Sequence, residues 1–171
     1  MLFLYSCKNI FIDDKFSIKC VPYTGSELRI DGYYYKKWLW EEGNKRFIDY
    51  FIFYSNGVSA TGHMEAENLC DVENRLANWS DNKWLKDNIY IWGPFSIHDD
   101  KLIMQFYEPS DYLSKRVLEL SGTILNDSAF YLEKITLACT GKEITGRFFA
   151  TGEYCFKQYS PKPDSTNNFI P

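Results

Sequence analysis

Histidine is the side chain best suited to move protons near neutral pH, and this chain of 171 residues has two, His63 and His98. A nucleophilic site would need one of them within hydrogen-bond reach of a serine or cysteine, with a third group to orient the imidazole. His98 lies in the "HDD" stretch of a predicted hairpin turn, and His63 lies in "TGHME" before a predicted helix. Both are predicted to be turn or surface residues, so the sequence predicts no catalytic residue.

Carboxylates occur as three adjacent pairs, Asp13-Asp14, Glu41-Glu42 and Asp99-Asp100. Neighbouring side chains of an extended chain point to opposite sides, so none of these pairs converges as an acid and a base. The sequence also lacks a phosphate-binding loop, an H-E-x-x-H motif and the spacing of an EF-hand. We therefore expect a protein that is not an enzyme and that uses no cofactor.

The chain has five cysteines, Cys7, Cys20, Cys70, Cys139 and Cys155. None of them is spaced C-x-x-C, so a metal site such as a zinc site has almost no support. If Cys7 has a separate role, the other four either pair as disulfides or stay as thiols. Ordinary buried thiols are the favoured interpretation, because free cysteine is among the most buried residue types.

The composition indicates one globular domain made mainly of strands. The chain is 45% hydrophobic and 25% charged, and no run approaches the ~20 apolar residues that a membrane-spanning helix needs. A net charge of −4 argues against a nucleic-acid partner or an anionic membrane surface. Aromatic residues make up 18% of the chain, and aromatics favour strands.

Turn signals divide the chain into about eight strands joined mostly by tight turns. Asn56-Gly57 separates two apolar runs, which is the strongest short-range hairpin signal. Asp99-Asp100 and Asn126–Ser128 occupy the same position between later pairs of runs. One helix is predicted among the early strands, over "AENLCDVENRLANW", and its apolar stripe would pack on the barrel or cap one end. The stripe consists of Leu69, Val72, Leu76 and Trp79.

Hairpin register predicts which side chains share a face of the sheet. A two-residue turn at Asp99-Asp100 places Phe95 opposite Met104 and Ile97 opposite Leu102, which makes one face wholly apolar. At Asn126–Ser128 we choose a three-residue loop, because a two-residue loop would place Glu133 on the apolar face. The opposite, outward face is unusually apolar and contains Trp92, Tyr107, Tyr131 and Ile135.

A meander with one apolar face per strand must close on itself or fold over as a sandwich. Closure removes exposed edges, and sequential hairpins favour an up-and-down arrangement. We therefore predict an all-β fold, an antiparallel up-and-down barrel of about eight strands. An eight-stranded barrel is also the size whose interior either fills with side chains or holds one small ligand.

The stretch Gly32-Tyr33-Tyr34 resembles the Gly-x-Trp motif that opens the first barrel strand of lipocalins, with tyrosine in place of tryptophan. With "FIFYSNGV", "WGPFSI", "GTILND" and "FKQYSPKPDSTNNFI", residues 26–171 resemble small lipocalin-like proteins of Bacteroidota bacteria. The resemblance implies a calycin-type barrel with Tyr34 near its floor, and it suggests ligand carriage. Arg147 is the counterpart of the basic residue that lipocalins stack over the motif.

The inward side chains are the predicted ligand contacts for a small hydrophobic molecule. The alternative is that they fill the barrel as a solid core and the protein acts as a binding or inhibitory module, through its outer aromatic face or its rim loops. An enzyme using the rim is the third and least favoured hypothesis. The predicted lining consists of Tyr34, Phe51, Phe53, Phe95, Met104, Phe106, Leu118, Leu120, Phe130, Leu132, Tyr154 and Phe156.

The first residues, "MLFLYSC", fit a bacterial lipobox at Leu4-Tyr5-Ser6-Cys7, with Cys7 as the lipidation site. Only six residues precede Cys7, fewer than a signal peptide needs, so the segment is interpreted as a truncated signal or else as an ordinary N-terminal strand. The predicted organisation is a signal remnant and tether over 1–26, the barrel over 27–160 and a C-terminal coil over 161–171. A lipid anchor would place the protein in the cell envelope, in the periplasm or at the outer membrane; without it the protein would be cytoplasmic.

Overall fold

The computed structural model describes residues 14–79, 83–108, 115–144 and 149–170. Within these ranges the chain forms eight antiparallel strands that close into a barrel in sequence order, which confirms the predicted all-β fold. The strands are β1 (Gly32–Trp40), β2 (Lys45–Phe53), β3 (Val58–Glu65), β4 (Trp92–His98), β5 (Lys101–Tyr107), β6 (Val117–Asn126), β7 (Ala129–Leu137) and β8 (Gly152–Gln158). Helices α1 (Leu69–Ala77) and α2 (Lys83–Lys86) follow β3, and a 3-10 turn spans Glu41–Gly43.

The β4–β5 hairpin has the predicted register. Phe95 lies opposite Met104, and Ile97 lies opposite Leu102. The connecting Asp99 and Asp100 have φ angles of 48° and 60°, the left-handed region that a two-residue hairpin turn requires and that aspartate tolerates. Turn chemistry and apolar alternation therefore select the same pairing.

The β6–β7 hairpin contains two register shifts. One lies between Ile124 and Asn126, so the turn itself is shorter than the predicted three-residue loop although Ile124 still lies opposite Phe130. The second, between Ser121 and Gly122, places Ile135 opposite Leu120. The prediction that Ile135 faces outward is wrong, because an unpaired residue reverses the alternation beyond it, and Ile135 is buried in the barrel interior.

A second apolar core lies on the outside of the barrel wall. Helix α1 begins at a capping box in which the Asn68 side chain accepts from the Cys70 N–H, and its Val72 and Leu76 are buried. They belong to one cluster with the outward residues of β2, including Tyr50 and Ile52. The predicted helix is confirmed, and it packs on the barrel wall.

The predicted outer aromatic face is divided by this helical layer. Trp92 points outward but is fully buried, because its Nε1 donates to the Leu85 carbonyl of α2 and its ring meets that of Trp79 edge-on at 5.8 Å. Tyr107 contacts the ring of Phe16 at 4.6 Å, whereas Tyr131 is 47% exposed. Other parts of the same chain therefore cover part of the outer aromatic face that was predicted as a partner surface.

One end of the barrel is closed by the segment before β1. The Tyr34 hydroxyl donates to the Asp127 carbonyl at 2.7 Å and accepts from the Arg29 N–H at 2.9 Å. The Arg29 guanidinium lies over the Phe156 ring, 4.3 Å from its centre. Tyr34 thus lies at the floor, as expected. Arg147, the predicted basic counterpart, lies outside the described residues.

The described part of the predicted tether packs along the barrel. Gln105 of β5 is fully buried, and its Oε1 accepts from the N–H groups of Ser17 and Ile18 at 2.8 and 3.2 Å. The segment is also held by the Asp14 N–H, which donates to the Lys115 carbonyl, and by the Tyr23 N–H, which donates to the Ser55 carbonyl. Cys7 and the rest of the predicted lipobox lie outside the described residues.

The C-terminal segment also packs on the wall, through Lys162, Phe169 and Ile170. The Lys162 Nζ donates to the carbonyls of Ile30 and Phe53 and lies 4.4 Å from the centre of the Tyr54 ring. Phe169 and Ile170 pack against the outer core. The predicted surface coil has no regular secondary structure through Ile170, and these residues attach it to the outside of the barrel.

We expect the stability contribution of Lys162 to rise with pH. Burial lowers the pKa of Lys162 to about 8 from its ordinary value of 10.5, with Asp31 opposing the shift. Above pH 8 the unfolded chain therefore holds more protons at this lysine than the folded chain, so unfolding becomes less favourable as pH rises. Urea unfolding of wild type and Lys162→Met between about pH 7 and about pH 9.5 measures the effect, below the range in which unfolded tyrosines ionise. A difference between the two proteins that stays constant across this range would contradict the prediction.

The four described cysteines carry free thiols. Cys20 is half-buried, but Cys70, Cys139 and Cys155 are exposed, so the expectation of buried thiols is wrong for three of them. Cys155 lies on the outward face of β8 beside inward Tyr154, and Cys139 lies just after β7. Cys155 is exposed because strand alternation directs it outward, and Cys139 is exposed because it lies in the turn after β7.

Candidate ligand site at the open end of the barrel

The structure brings all twelve predicted lining residues into one cluster inside the barrel. Eleven of them are buried, and Phe156 is partly buried and packs against the same cluster. Whether they contact a ligand stays a prediction. The cluster contains Tyr34, Phe51, Phe53, Phe95, Met104, Phe106, Leu118, Leu120, Phe130, Leu132, Tyr154 and Phe156.

Aromatic rings meet across the middle of the barrel. The Phe51 ring lies 5.2 to 6.1 Å from the rings of Phe106, Phe130, Phe149 and Tyr154. The rings of Phe130 and Tyr154 stack in parallel at 5.0 Å. Such separations are those of directly packed aromatic pairs. Side chains therefore occupy the centre of the interior.

A cavity of about 130 Å³ lies at the opposite end from the Tyr34 floor. It exists because β3 pairs with β4 only over Val58–Ala60, so the later residues of β3 separate from the neighbouring wall. The inner side of the cavity is apolar, and two predicted lining residues, Phe106 and Leu118, border it together with Phe149. His63 and Arg75 also border the cavity and are its charged or titratable basic side chains.

His63 is paired with a carboxylate that the sequence analysis did not single out. Asp49 of β2 points inward and is fully buried, and its Oδ1 accepts from the His63 Nδ1–H at 2.6 Å. Its Oδ2 accepts from the Ala150 N–H at 2.7 Å and from the Tyr154 hydroxyl at 3.4 Å. Asp49 and His63 are cross-strand partners. His63 was predicted to be a turn or surface residue; it belongs to strand β3 rather than to a turn, and its side chain is 37% exposed at the surface.

The imidazole of His63 is held in one orientation. Its ring stacks on that of Phe47 at 4.7 Å with 12° between the planes, and the Trp38 ring lies 5.8 Å from the imidazole and 5.0 Å from Phe47. Because Asp49 accepts the hydrogen of Nδ1, the neutral imidazole offers Nε2 as an acceptor. The prediction for His98 is confirmed, since it lies at the β4–β5 turn, is mostly exposed and pairs with Asp99.

Arg75 supplies a positive charge at the cavity from the last turn of α1. No carboxylate in the described ranges forms an ion pair with it. The neighbouring Tyr50 hydroxyl is buried and has no hydrogen-bond partner within the described chain, and burial raises its pKa to about 12 against the lowering effect of Arg75. A Cβ at Gly62 would lie 2.1 Å from Tyr50 Cζ, so this wall of the cavity requires glycine.

Neither a metal-binding cluster nor a membrane-spanning helix is found among the residues that the structure describes. Among them no group of three or more His, Cys, Asp or Glu side chains could hold a metal ion. Within the same ranges no helix has the length and apolar character needed to cross a membrane.

No family model, curated protein or solved structure matches this chain. The structure shows a closed eight-stranded barrel, which is consistent with the lipocalin-like resemblance. The lipoprotein anchor at Cys7, the cell-envelope location and the bacterial group stay predictions.

Proposed function

We propose that this barrel binds a small molecule with an apolar body in the cavity at its open end. The observation that carries the proposal is the 130 Å³ cavity whose inner wall is formed by Phe106, Leu118 and Phe149. Ligand sites are typically apolar with a few polar groups that fix orientation, and His63 and Arg75 border the cavity in that way.

The volume restricts the ligand to about the size of one ring. An apolar cavity of about 150 Å³ holds benzene, whereas drug-sized ligands occupy at least about 300 Å³. The ring packing around Phe51 limits access to the deeper interior. We therefore propose a single-ring or short branched-chain ligand near Phe106 and Leu118 rather than a long lipid along the whole barrel.

We propose binding rather than catalysis. The one hydroxyl side chain that borders the cavity on β3 is Thr61, and it donates to the Tyr50 carbonyl at 3.2 Å. A nucleophile activated by His63 would instead donate to the imidazole. The Asp49–His63 pair therefore acts as a fixed polar wall for a bound molecule.

Benzene is expected to bind with a dissociation constant of about 1 mM or tighter, the strength expected of six well-buried atoms. Amide shifts in an NMR titration should concentrate at Thr61, Gly62 and Phe149. Leu118→Trp fills the cavity and should abolish binding. Leu125→Trp is the matched control, because Leu125 lies on the same strand, is 52% exposed and is not at the cavity. Unchanged binding by folded Leu118→Trp, or no binding by wild type, would refute the proposal.

A further inference from the structure

We propose that the cavity selects a small carboxylic acid, whose carboxyl group binds between His63 and Arg75. This inference rests on the proposed function, since it names the class of ligand for the same cavity. Three observations support it: the mixed apolar and polar lining of the cavity, the hydrogen bond that occupies His63 Nδ1, and the absence of a described carboxylate paired with Arg75.

The cavity has an apolar lining from the barrel interior and a cationic residue from the helix. Phe106, Leu118 and Phe149 come from the interior, while Arg75 comes from α1 on the outside of the wall. A ligand that contacts both sets of residues must carry an apolar body and one polar group.

One ring nitrogen of His63, Nδ1, is already hydrogen-bonded to Asp49. Asp49 holds the Nδ1–H, so Nε2 is the atom left for a ligand, and it accepts a proton or a hydrogen bond. A small carboxylic acid is already a carboxylate near pH 7, so the proton that forms an N–H bond at Nε2 comes from the solvent. Binding then places a carboxylate beside an imidazolium and takes up one proton.

The charges then balance within the site. Asp49 and the bound carboxylate supply two negative charges, while the His63 imidazolium and Arg75 supply two positive charges. A partly buried site is most stable when its charges are paired, because unpaired charges there keep an uncompensated desolvation cost. An amine would meet the positive charge of Arg75, and a neutral amide would leave that charge unpaired.

Arg75 is suited to receive a carboxylate. Its guanidinium has paired N–H donors that match the two oxygens of a carboxylate, and no carboxylate of the described chain occupies them. The helix that carries it is anchored by buried Val72 and Leu76. The buried Tyr50 ring lies against Gly62 and supports this wall of the cavity from the outer core.

Benzoate and benzamide form a matched pair of probes, because they have the same shape and differ in charge. In NMR titrations near pH 7 at low ionic strength, we expect wild type to bind benzoate at least tenfold more tightly than benzamide. Arg75→Gln and His63→Gln should each bring the ratio of the two affinities to within about threefold of one, mainly by weakening the binding of benzoate. Arg46→Gln is the control, since it removes the same charge from an exposed ion pair with Glu67.

The outcomes separate the two proposals. Equal affinity of wild type for benzoate and benzamide would overturn the acid selectivity and leave the cavity as a binding site. A benzoate preference that survives in both Arg75→Gln and His63→Gln would also overturn it, because the acid would then be recognised elsewhere. If neither probe binds and benzene does not bind either, the proposed function itself fails and the acid selectivity fails with it.

Discussion

Replacing Phe51 by alanine is expected to lower the free energy of unfolding by about 3–5 kcal/mol. Phe51 is fully buried, and its ring lies in packing contact with the rings of Phe106, Phe130 and Tyr154. Truncation removes the transfer free energy of the ring and leaves a space that rigid β-strands cannot close. Urea unfolding at 25 °C, followed by tryptophan fluorescence and circular dichroism, measures the loss.

This substitution also distinguishes a filled barrel from a hollow one. In a hollow barrel the Phe51 ring would border solvent or a ligand space, and its removal would cost about 1 kcal/mol or less. Tyr131→Ala is the control, because Tyr131 is an aromatic residue on an outward strand position and is 47% exposed; its replacement should change stability by at most about 0.5 kcal/mol. Similar losses for the two variants would contradict the packing described for the interior.

Alternation of side chains in short strands allowed the barrel interior to be predicted from the sequence. The Asp99-Asp100 turn specified one hairpin register, and in that register Phe95 and Met104 had to share a face, as they do. The same argument placed Phe130 and Leu132 inside. These residues could be identified because a one-residue slip would move every apolar side chain of the strand into water, which no other feature of the sequence could offset.

Strand alternation alone predicted the wrong face for Ile135. The register shift between Ser121 and Gly122 reverses the alternation, and Ile135 faces inward opposite Leu120. A bulge depends on the pairing of two strands and on the curvature of a closing barrel, so one strand read alone does not contain it. Trp92 shows a second limit, because an outward aromatic was buried by helices whose packing position the sequence did not specify.

The candidate site was missed for a related reason. Asp49 and His63 become neighbours only through the β2–β3 register, and Arg75 reaches the same cavity from a helix on the other side of the wall. Strand alternation did contain a signal, since Asp49 stands two residues before inward Phe51. A charged residue at an inward position contradicts a purely apolar interior, and such contradictions are expected at functional sites.

Replacing Asp49 by alanine is expected to lower the free energy of unfolding by about 2–4 kcal/mol. The change leaves the Ala150 N–H and the His63 Nδ1–H without their acceptor, and each unsatisfied buried group costs about 1–3 kcal/mol, whereas the Tyr154 hydroxyl still donates to the Ala150 carbonyl at 3.0 Å. Asp49→Asn should cost less, because an amide oxygen can still accept from Ala150. Asp31→Ala is the control, since its ion pair with Arg29 is exposed and contributes at most about 1 kcal/mol.

The same variants connect the stability of the barrel with the selectivity of the cavity. Without the carboxylate, His63 loses the partner that fixes its ring and that balances an imidazolium, so folded Asp49→Asn should lose most of the preference for benzoate over benzamide. Asp31→Ala should keep that preference, because Asp31 lies at the closed end. If Asp49→Asn is destabilised yet retains the full preference, Asp49 serves packing alone and the acid is bound by Arg75 without the imidazole. If Asp49→Asn loses both stability and the preference for benzoate, the buried Asp49 carboxylate stabilises the open end of the barrel and also contributes to the binding of the acid.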